Sequence, residues 1–404
     1  MGSTDRADLD VLIFGGGVGG LWLLDHLRRG GYRVLLLEAG ALGSGQTAAS
    51  QGIVHGGLKY SLRGLLTPSA RAVRDMPALW RRCLEGRAAP DLRNTLRRAE
   101  HCHLWQTRAL SSRFAMVGAR AGLRVVPEKL PHDARPEALA ACPGTVARLD
   151  EQVIEPASLI ADLADQHRQL ILSIDPEAVL DFAVPAAGSV DLLRLTDPAT
   201  GARLELRPHW VVFTAGTGNA DLRRRVRLNP KLMQRRGLHM VLARGDLPVL
   251  NGHCVDGMHT RATITTARDG VGRTVWQIGG QIAEDGVRMQ PDQLIGHAVD
   301  ELRGMLPGID PGCASWATCR VDRAEGLTKH GLRPAGVVVS REGNTITAWP
   351  TKMVLAPVMA EQIRRLLPDP KATAPPPQDI IDSWPRPDVA RPPWEEALPW
   401  TAVD

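Results

Sequence analysis

The first forty residues alternate apolar runs with glycines, in an order that predicts strand, helix and strand. Residues 11–14 form a short apolar run suited to a buried parallel strand, and GGGVGG follows it. LWLLDHLRR then places apolar residues at helical spacing until Gly30 and Gly31 end the helix. Residues 32–37 supply a second apolar strand. Together these segments predict a βαβ unit.

Later segments repeat this pattern more loosely. Residues 150–166 predict a strand, a proline-marked turn and a helix, and residues 209–213 predict a buried strand that runs into TAGTGNADL. Residues 237–286 differ, because LHMVLAR, TRATITTAR and TVWQIGGQ alternate apolar and polar positions as antiparallel strands do. Residues 315–339 and 344–367 return to strand followed by helix.

This order predicts the α/β class (α+β overall), with a Rossmann-like dinucleotide-binding domain and an inserted antiparallel-sheet substrate domain. The predicted boundaries give the first domain residues 1–90, 145–222 and 315–367, and give the substrate (cap) domain residues 91–144 and 223–314. Residues 368–404 are rich in proline and tryptophan. They predict an extended tail that packs on the surface or against a partner.

Composition indicates a soluble globular protein, with 44% hydrophobic and 23% charged residues. No apolar run is long enough for a membrane span, and the polar N-terminus is unlike a secretory signal. The cysteines lack CxxC pairing, which indicates reduced thiols and a cytoplasmic location; peripheral contact with the inner face of the membrane stays open. They are residues 83, 102, 142, 254, 313 and 319.

The net charge of +5 and pI of about 9.0 are only mildly basic, so no nucleic-acid partner is expected. The arginines at 223–227 and 235–236 suit a solvated face, or an anion-binding or membrane-surface patch. His101, Cys102 and His103 have the chemistry of metal ligands. No second ligand pair has zinc-like spacing, so no metal site is expected.

The strongest motif is G-x-G-x-x-G, formed by Gly15, Gly17 and Gly20 between the first strand and helix. Val18 begins a helix whose N-terminal N–H groups suit phosphates. Glu38 lies 18 residues after Gly20 at the tip of the next strand, where its carboxylate suits ribose hydroxyls. The sequence therefore predicts a dinucleotide site.

Further loops resemble a known family. EAG followed by GSGQTAASQGIVHGGLKY, VVFTAGTGNADL, and GLRP with AWPTKMVLAPVMAE resemble the flavoproteins of the D-amino-acid oxidase superfamily. The likeness is nearest to the glycerol-3-phosphate dehydrogenase and L-2-hydroxyglutarate dehydrogenase branches, although the chain lacks room for the C-terminal helical domain of the former. The resemblance implies FAD, bound by Gly15, Gly17, Val18, Gly20, Glu38, Ala39, Gly45, Gln46, Thr47, Ser50, Gln51, Gly52, Val153, Ala215, Gly216, Leu332, Thr351 and Lys352.

The resemblance also implies roles for three polar side chains. His55 would lie beside the flavin ring as base or substrate orienter, the alternative being a histidine that bonds the loop backbone. Lys352 would stabilise negative charge near N1–C2=O of the reduced flavin, or else be a solvated lysine. Arg333 would hold an anionic substrate group, or else form a surface ion pair.

Substrate contacts are expected from Tyr60, His239, His253, Gln277 and Arg333, with Gln281 nearby. The alternative for each of the strand residues is a hydrogen-bonded structural role. Tyr60 would either close the pocket or pack under the loop.

The predicted function is an FAD-dependent oxidoreductase that transfers a hydride from a small, anionic hydroxy compound to flavin N5. A 2-hydroxy acid or a glycerol-3-phosphate-like molecule would fit. The expected partners are this substrate and an electron acceptor, either a quinone, another carrier or O2; the oligomeric state is open. An amino-acid or amine oxidase of the same fold is one alternative, and a non-catalytic flavin-binding or RNA-associated protein is another. An NAD(P)-linked reductase would need a second G-x-G-x-x-G, which is absent.

Overall fold

The computed structural model describes most of the 404-residue chain. The described residues are 5–57, 68–107, 127–175, 180–197, 200–256, 259–371 and 378–403. Tyr60, one of the predicted substrate residues, lies outside them.

The described chain contains both helices and strands, and several runs of consecutive strands. The helices are α1 Val18–Arg29, α2 Pro68–Val73, α3 Met76–Leu84, α4 Pro156–Asp165, α5 Asn219–Arg225, α6 Gln281–Asp285, α7 Pro291–Met305, α8 Ala356–Leu366 and α9 Gln378–Ser383. The strands are β1 Asp5–Phe14, β2 Val34–Glu38, β3 Arg97–Ala99, β4 Cys102–Gln106, β5 Glu128–Lys129, β6 Val146–Leu149, β7 Val153–Ile154, β8 Ile171–Ser173, β9 Asp181–Ala183, β10 Leu192–Thr196, β11 Arg203–Phe213, β12 Met233–Gly245, β13 Gly252–Asp256, β14 His259–Arg268, β15 Thr274–Gly279, β16 Ala314–Gly326, β17 Val338–Glu342, β18 Thr345–Trp349 and β19 Thr401–Ala402.

The first sheet has a parallel centre in the order β18-β11-β1-β2-β8, with antiparallel strands β17, β10 and β9 added to it. Both faces are buried. Val11 and Ile13 of β1 join the core under α1, whereas Leu12 and Phe14 join the core on the opposite face. Burial on both faces explains the unbroken apolar run in the sequence.

The second sheet has nine strands in the order β19-β16-β12-β15-β14-β13-β4-β6-β5. It confirms the antiparallel strands predicted within residues 237–286. Two predicted boundaries need correction. β16 pairs along its whole length with β12, so residues 315–326 belong to this sheet and not to the first. β6 also lies here, although the segment from 145 was assigned to the first domain.

The tail crosses from the first sheet to the second. Trp384 packs in the core of the first sheet and donates from Nε1 to the Ser173 carbonyl at 2.8 Å. Residues 388–390 then bond to both backbone groups of Leu42, at 2.7 and 2.9 Å. β19 finally pairs with β16. The described tail therefore packs on its own chain. None of the described helices has the length and hydrophobicity that a bilayer span requires.

Candidate active site

A cavity of about 1110 Å³ lies between the two sheets. The first sheet contributes the turns that follow β1, β11 and β18, and the second contributes a roof from β12 and β16. On β12, Arg235, Leu238 and Met240 line the cavity, and on β16 residues 319–324 do so. The volume slightly exceeds the usual range for a small-ligand pocket, about 300–1,000 Å³.

The turn after β1 allows very close backbone approach. Gly15 has φ +104°, and a Cβ there would lie 2.5 Å from the Cα of Ala215. A Cβ on Gly20 would collide with the carbonyl of Gly15, so Gly20 brings α1 against the turn without lining the cavity. These are the geometric roles that the glycine pattern requires.

Glu38 closes this turn from the neighbouring strand. Its Oε2 accepts a hydrogen bond from the Gly16 N–H at 2.5 Å, and its Oε1 accepts one from the Gly40 N–H at 2.8 Å. The carboxylate lines the cavity close to the N-terminus of α1. A helix N-terminus beside an acid at the next strand tip suits the phosphates and ribose of a dinucleotide.

The loop of residues 44–55 links the helix end to the roof. Thr47 Oγ1 lies 3.4 Å from the Val18 N–H, and Gln46 Oε1 accepts a bond from the Ala324 N–H at 3.0 Å. Gln51 donates from Nε2 to the carbonyls of Thr263 and Gln277, both at 2.8 Å. The loop is therefore fixed to both sheets along the length of the cavity.

Most of the predicted cofactor residues line this cavity. They are Gly15, Gly17, Val18, Glu38, Gly45, Gln46, Thr47, Ser50, Gln51, Gly52, Ala215, Gly216, Thr351 and Lys352. Gly20, already described, and three others lie elsewhere. Val153 is fully buried and bridges to Ile53, Ala39 is exposed on the strand-end turn, and Leu332 is 67% exposed. For Ala39 and Leu332 the family-like motifs identified the segment but not which side chain turns inward.

Two predicted substrate residues have structural roles. His239 lies between Leu238 and Met240 on β12 and points to the other side of the strand. There its Nδ1 lies 3.0 Å from the Gly286 carbonyl and its Nε2 lies 2.9 Å from Thr318 Oγ1. Burial lowers the pKa of His239. Gln277 donates from Nε2 to the Ala49 carbonyl at 2.7 Å and supports the loop from behind. Gln281, by contrast, lines the cavity.

His55 lines the cavity with 17% of its side chain exposed. Its Nδ1 lies 3.4 Å from Oε2 of Glu151, a fully buried carboxylate. Glu151 Oε1 accepts a hydrogen bond from the Gly56 N–H at 2.6 Å. The ring of His253 stacks on that of His55 with centroids 5.5 Å apart, and its Nε2 lies 4.0 Å from Glu151 Oε2. The predicted substrate residue His253 is thus buried behind His55.

Sequence reasoning missed Glu151. The Asp150-Glu151 pair has the pattern of a solvated turn, and the carboxylate's partner Gly56 is 95 positions away. One atom from each of His55, Glu151 and His253 lies within 4.8 Å of the other two, so the cluster also has the composition of a cation site.

Lys352 lies at the cavity wall, almost fully buried, at the start of the helical turn that leads into α8. Its Nζ lies 3.4 Å from the Ala335 carbonyl. The preceding residue, Thr351, has φ +65° and donates from Oγ1 to the Gly336 carbonyl at 2.8 Å. A non-glycine residue in this conformation is strained, and such strain concentrates at functional sites.

Arginines give the cavity wall its positive charge. Arg323 and Arg333 both line it, and Arg236 stands directly opposite Arg323 in the β12–β16 pairing. Arg236 is held at 2.7 and 3.0 Å by Glu325, and Arg323 meets Glu284 at 3.3 Å. Burial, followed by the charges of Arg236 and Arg333, lowers the pKa of Arg323 to about 10. Arg323 was missed because its strand was assigned to the other domain.

Comparisons with known proteins agree with this geometry. The family described as DAO, FAD-dependent oxidoreductase, matches residues 10–348. The probable FAD-dependent oxidoreductase PA4991 of Pseudomonas aeruginosa is 38% identical over 397 residues, which cover 96% of this chain and 98% of that protein. Its crystal structure aligns with a TM-score of 0.80, at 34% identity, over 98% of this chain and 99% of that one.

More distant structures share the fold. Glycine oxidase from Geobacillus kaustophilus aligns with a TM-score of 0.59 at 21% identity, over 92% of this chain and 96% of that one. L-alpha-glycerophosphate oxidase from Mycoplasma pneumoniae, with FAD bound, aligns with a TM-score of 0.62 at 15% identity, over 98% of this chain and 100% of that one.

Proposed function

Because this chain belongs to the DAO family of FAD-dependent oxidoreductases, we propose that it oxidises a small, anionic hydroxy compound to the carbonyl product. Bound FAD supplies the hydride acceptor. The residues around the cavity supply substrate binding, a proton acceptor and charge.

The observation that carries this proposal is that His55, Arg323 and Arg333 line one cavity. A guanidinium suits carboxylate or phosphate, because it offers several donors in a fixed plane. Arg236 and Arg323 face each other across two strands, where like charges repel. The described residues that line the cavity include Lys352 and five arginines, against the four carboxylates of Glu38, Glu284, Asp322 and Glu396. An anionic group on the substrate would complete the balance.

His55 would accept the hydroxyl proton as the C–H bond breaks. Its imidazole lines the cavity, so it can reach a bound substrate, and most of its ring is shielded from water. General-base catalysis of this kind contributes about 10²–10⁴ in rate.

Lys352 would stabilise the negative charge that develops on the reduced cofactor. Its ammonium group is nearly buried at the cavity wall, where the lower dielectric strengthens charge interactions. Lys352 also precedes a helical turn whose residues Met353 and Val354 line the cavity.

An anaerobic flavin-bleaching screen tests the proposal. Purified protein with bound FAD is mixed with 2-hydroxy acids, glycerol-3-phosphate, D- and L-amino acids, and neutral alcohols such as glycerol. We expect the flavin absorbance to disappear with an anionic hydroxy compound. Bleaching only by amino acids would instead identify an amino-acid oxidase, and bleaching only by neutral alcohols would exclude the arginines as substrate ligands.

The same samples identify the electron acceptor. The bleached enzyme is mixed with O2 or with a soluble quinone, and the return of the flavin absorbance is timed for each. We expect faster reoxidation by the quinone; faster reoxidation by O2 would identify an oxidase.

A further inference from the structure

The carboxylate of Glu151 is fully buried, and its two oxygens have different surroundings. Oε1 accepts a hydrogen bond from the Gly56 N–H, whereas Oε2 faces the ring nitrogens of His55 and His253. A buried carboxylate is costly unless donors or a positive charge compensate for lost water. The two imidazoles are placed to supply both.

We propose that Glu151 is a positioning residue for His55, which it holds with Nδ1–H directed at Oε2, so that Nε2 is the nitrogen that accepts the substrate proton. An ionised carboxylate only accepts hydrogen bonds, so the proton of a neutral His55 stays at Nδ1. The unprotonated nitrogen is then Nε2, at the other edge of a ring that lines the cavity. The inference rests on the proposed function in one respect, namely that the proton comes from a substrate hydroxyl.

The same carboxylate stabilises the ring after proton transfer. When Nε2 accepts the proton, His55 becomes an imidazolium beside the negative charge of Glu151, 3.4 Å away. The proton moves from the substrate hydroxyl to Nε2, and the electron pair of that O–H bond becomes part of the new carbonyl bond. The C–H bond of the same carbon would break at the same time, and its hydride would go to the bound cofactor. Glu151 itself keeps its charge throughout, as the carboxylate of a hydrolase triad does.

His253 supports this arrangement from below. Its Nδ1 lies 2.9 Å from Thr263 Oγ1, and its Nε2 faces Glu151. A hydroxyl that donates to Nδ1 leaves the proton of a neutral His253 at Nε2, directed at the carboxylate. Among the described residues, the titratable groups that face His55 are Glu151 from the loop before β7 and His253 from β13. Lys352 and Arg333 line the same cavity.

The test uses the protein with FAD bound and ¹⁵N-labelled histidine, and it needs no substrate. Heteronuclear NMR reports which nitrogen of His55 carries the proton and the pH at which the ring titrates. In wild type we expect protonation at Nδ1. In Glu151→Gln the neutral amide no longer stabilises the imidazolium, so the titration midpoint of His55 should fall by about one pH unit or more.

A second readout is flavin reduction under anaerobic conditions. In Glu151→Gln the rate should fall roughly 10- to 100-fold with FAD content unchanged, and the acid limb of its pH profile should move to lower pH. The matched control is Asp25→Asn, because Asp25 lies 3.1 Å from Nε2 of His167 outside the cavity. That variant should leave the His55 signals and the rate unchanged.

An unchanged tautomer and midpoint in Glu151→Gln would overturn the proposal. If that variant does not fold, Glu151→Asp is measured instead. The shorter side chain keeps its charge but holds the carboxylate farther from His55, so the titration midpoint of His55 should still fall. An unchanged midpoint would again contradict the proposal. Stoichiometric divalent metal in wild type that is lost in either variant would make the cluster a metal site instead. If the NMR results are as expected but no hydroxy compound bleaches the flavin, the proposed function is contradicted and the role of Glu151 is not.

Discussion

At the scale of single residues, Arg323 is the side chain on which anion binding should depend most. It is 9% exposed, lines the cavity, and stands opposite a second arginine. We expect Arg323→Met to raise KM for the anionic substrate about 10- to 100-fold, because a charge-assisted hydrogen bond contributes about 1.5–3 kcal/mol. Steady-state kinetics measures this change. Arg261→Met is the control, since Arg261 pairs with Glu301 away from the cavity.

His55 is the second residue whose contribution can be isolated. His55→Ala should slow flavin reduction by about 10²–10⁴ at neutral pH while FAD stays bound, because it removes the proton acceptor but no cofactor-binding group. Stopped-flow absorbance under anaerobic conditions gives the rate. In His259→Asn, which changes another cavity-lining histidine, the flavin should be reduced at the wild-type rate. An equal rate for His55→Ala would refute the base role.

The sequence predicted the role of residues whose partners are close along the chain. It did not predict the role of residues whose partners are distant along the chain. Gly15 and Glu38 belong to one βαβ unit, so spacing alone placed both at the cavity. Glu151 and Arg323 gain their roles from partners on other elements, with which they share no local pattern. His239 was predicted to contact the substrate but lies on the other face of β12. The alternation of the strand could be predicted from the sequence, but not which of its faces lines the cavity.

At the scale of elements, the contact between α1 and the end of β1 decides whether the cofactor turn can form. A Cβ on Gly20 would collide with the Gly15 carbonyl and lie 2.8 Å from Thr214 Oγ1, whereas one on Gly19 would meet only the flexible end of Met359, at 2.9 Å. We expect Gly20→Ala to destabilise the fold by about 1–3 kcal/mol and to lose FAD. Thermal unfolding and flavin content measure both effects.

Gly19→Ala is the matched control on the same helix. It should retain FAD and unfold near the wild-type temperature, because the methionine side chain can shift. Equal behaviour of the two variants would show that helix packing at this turn is more tolerant than the geometry implies.

The sequence assigned strands to the correct domain where the alternation of apolar and polar residues was distinctive. It failed where strands of both domains have a similar pattern. The alternation within residues 237–286 predicted the antiparallel strands of the second sheet. β16 has an equally regular pattern, but sequence order alone suggested a return to the first domain. Only its thirteen-residue pairing with β12 assigns it to the roof.

At the scale of the whole molecule, the tail connects the two sheets across the cavity. Ala390, Arg391 and Pro393 line the cavity, and residues 388–390 bond to the loop that follows Glu38. We expect a chain ended after Lys371 to lose most of its FAD during gel filtration and to unfold at a lower temperature. A chain ended after Pro399 lacks β19 but keeps residues 388–393, and it should retain FAD. Full flavin content in the shorter chain would contradict this role.

The position of the tail also sets an order of events during biosynthesis. Domains fold as their sequence emerges from the ribosome, N-terminal parts first. Here the cavity needs turns near residues 15, 215 and 350, and then residues 388–393, which are translated after every described strand except β19. A nascent chain can therefore assemble both sheets before the last part of the cofactor cleft exists. Stable flavin loading becomes a late step, and ribosome stalling or premature termination near the 3′ end of the message would yield folded but colourless protein.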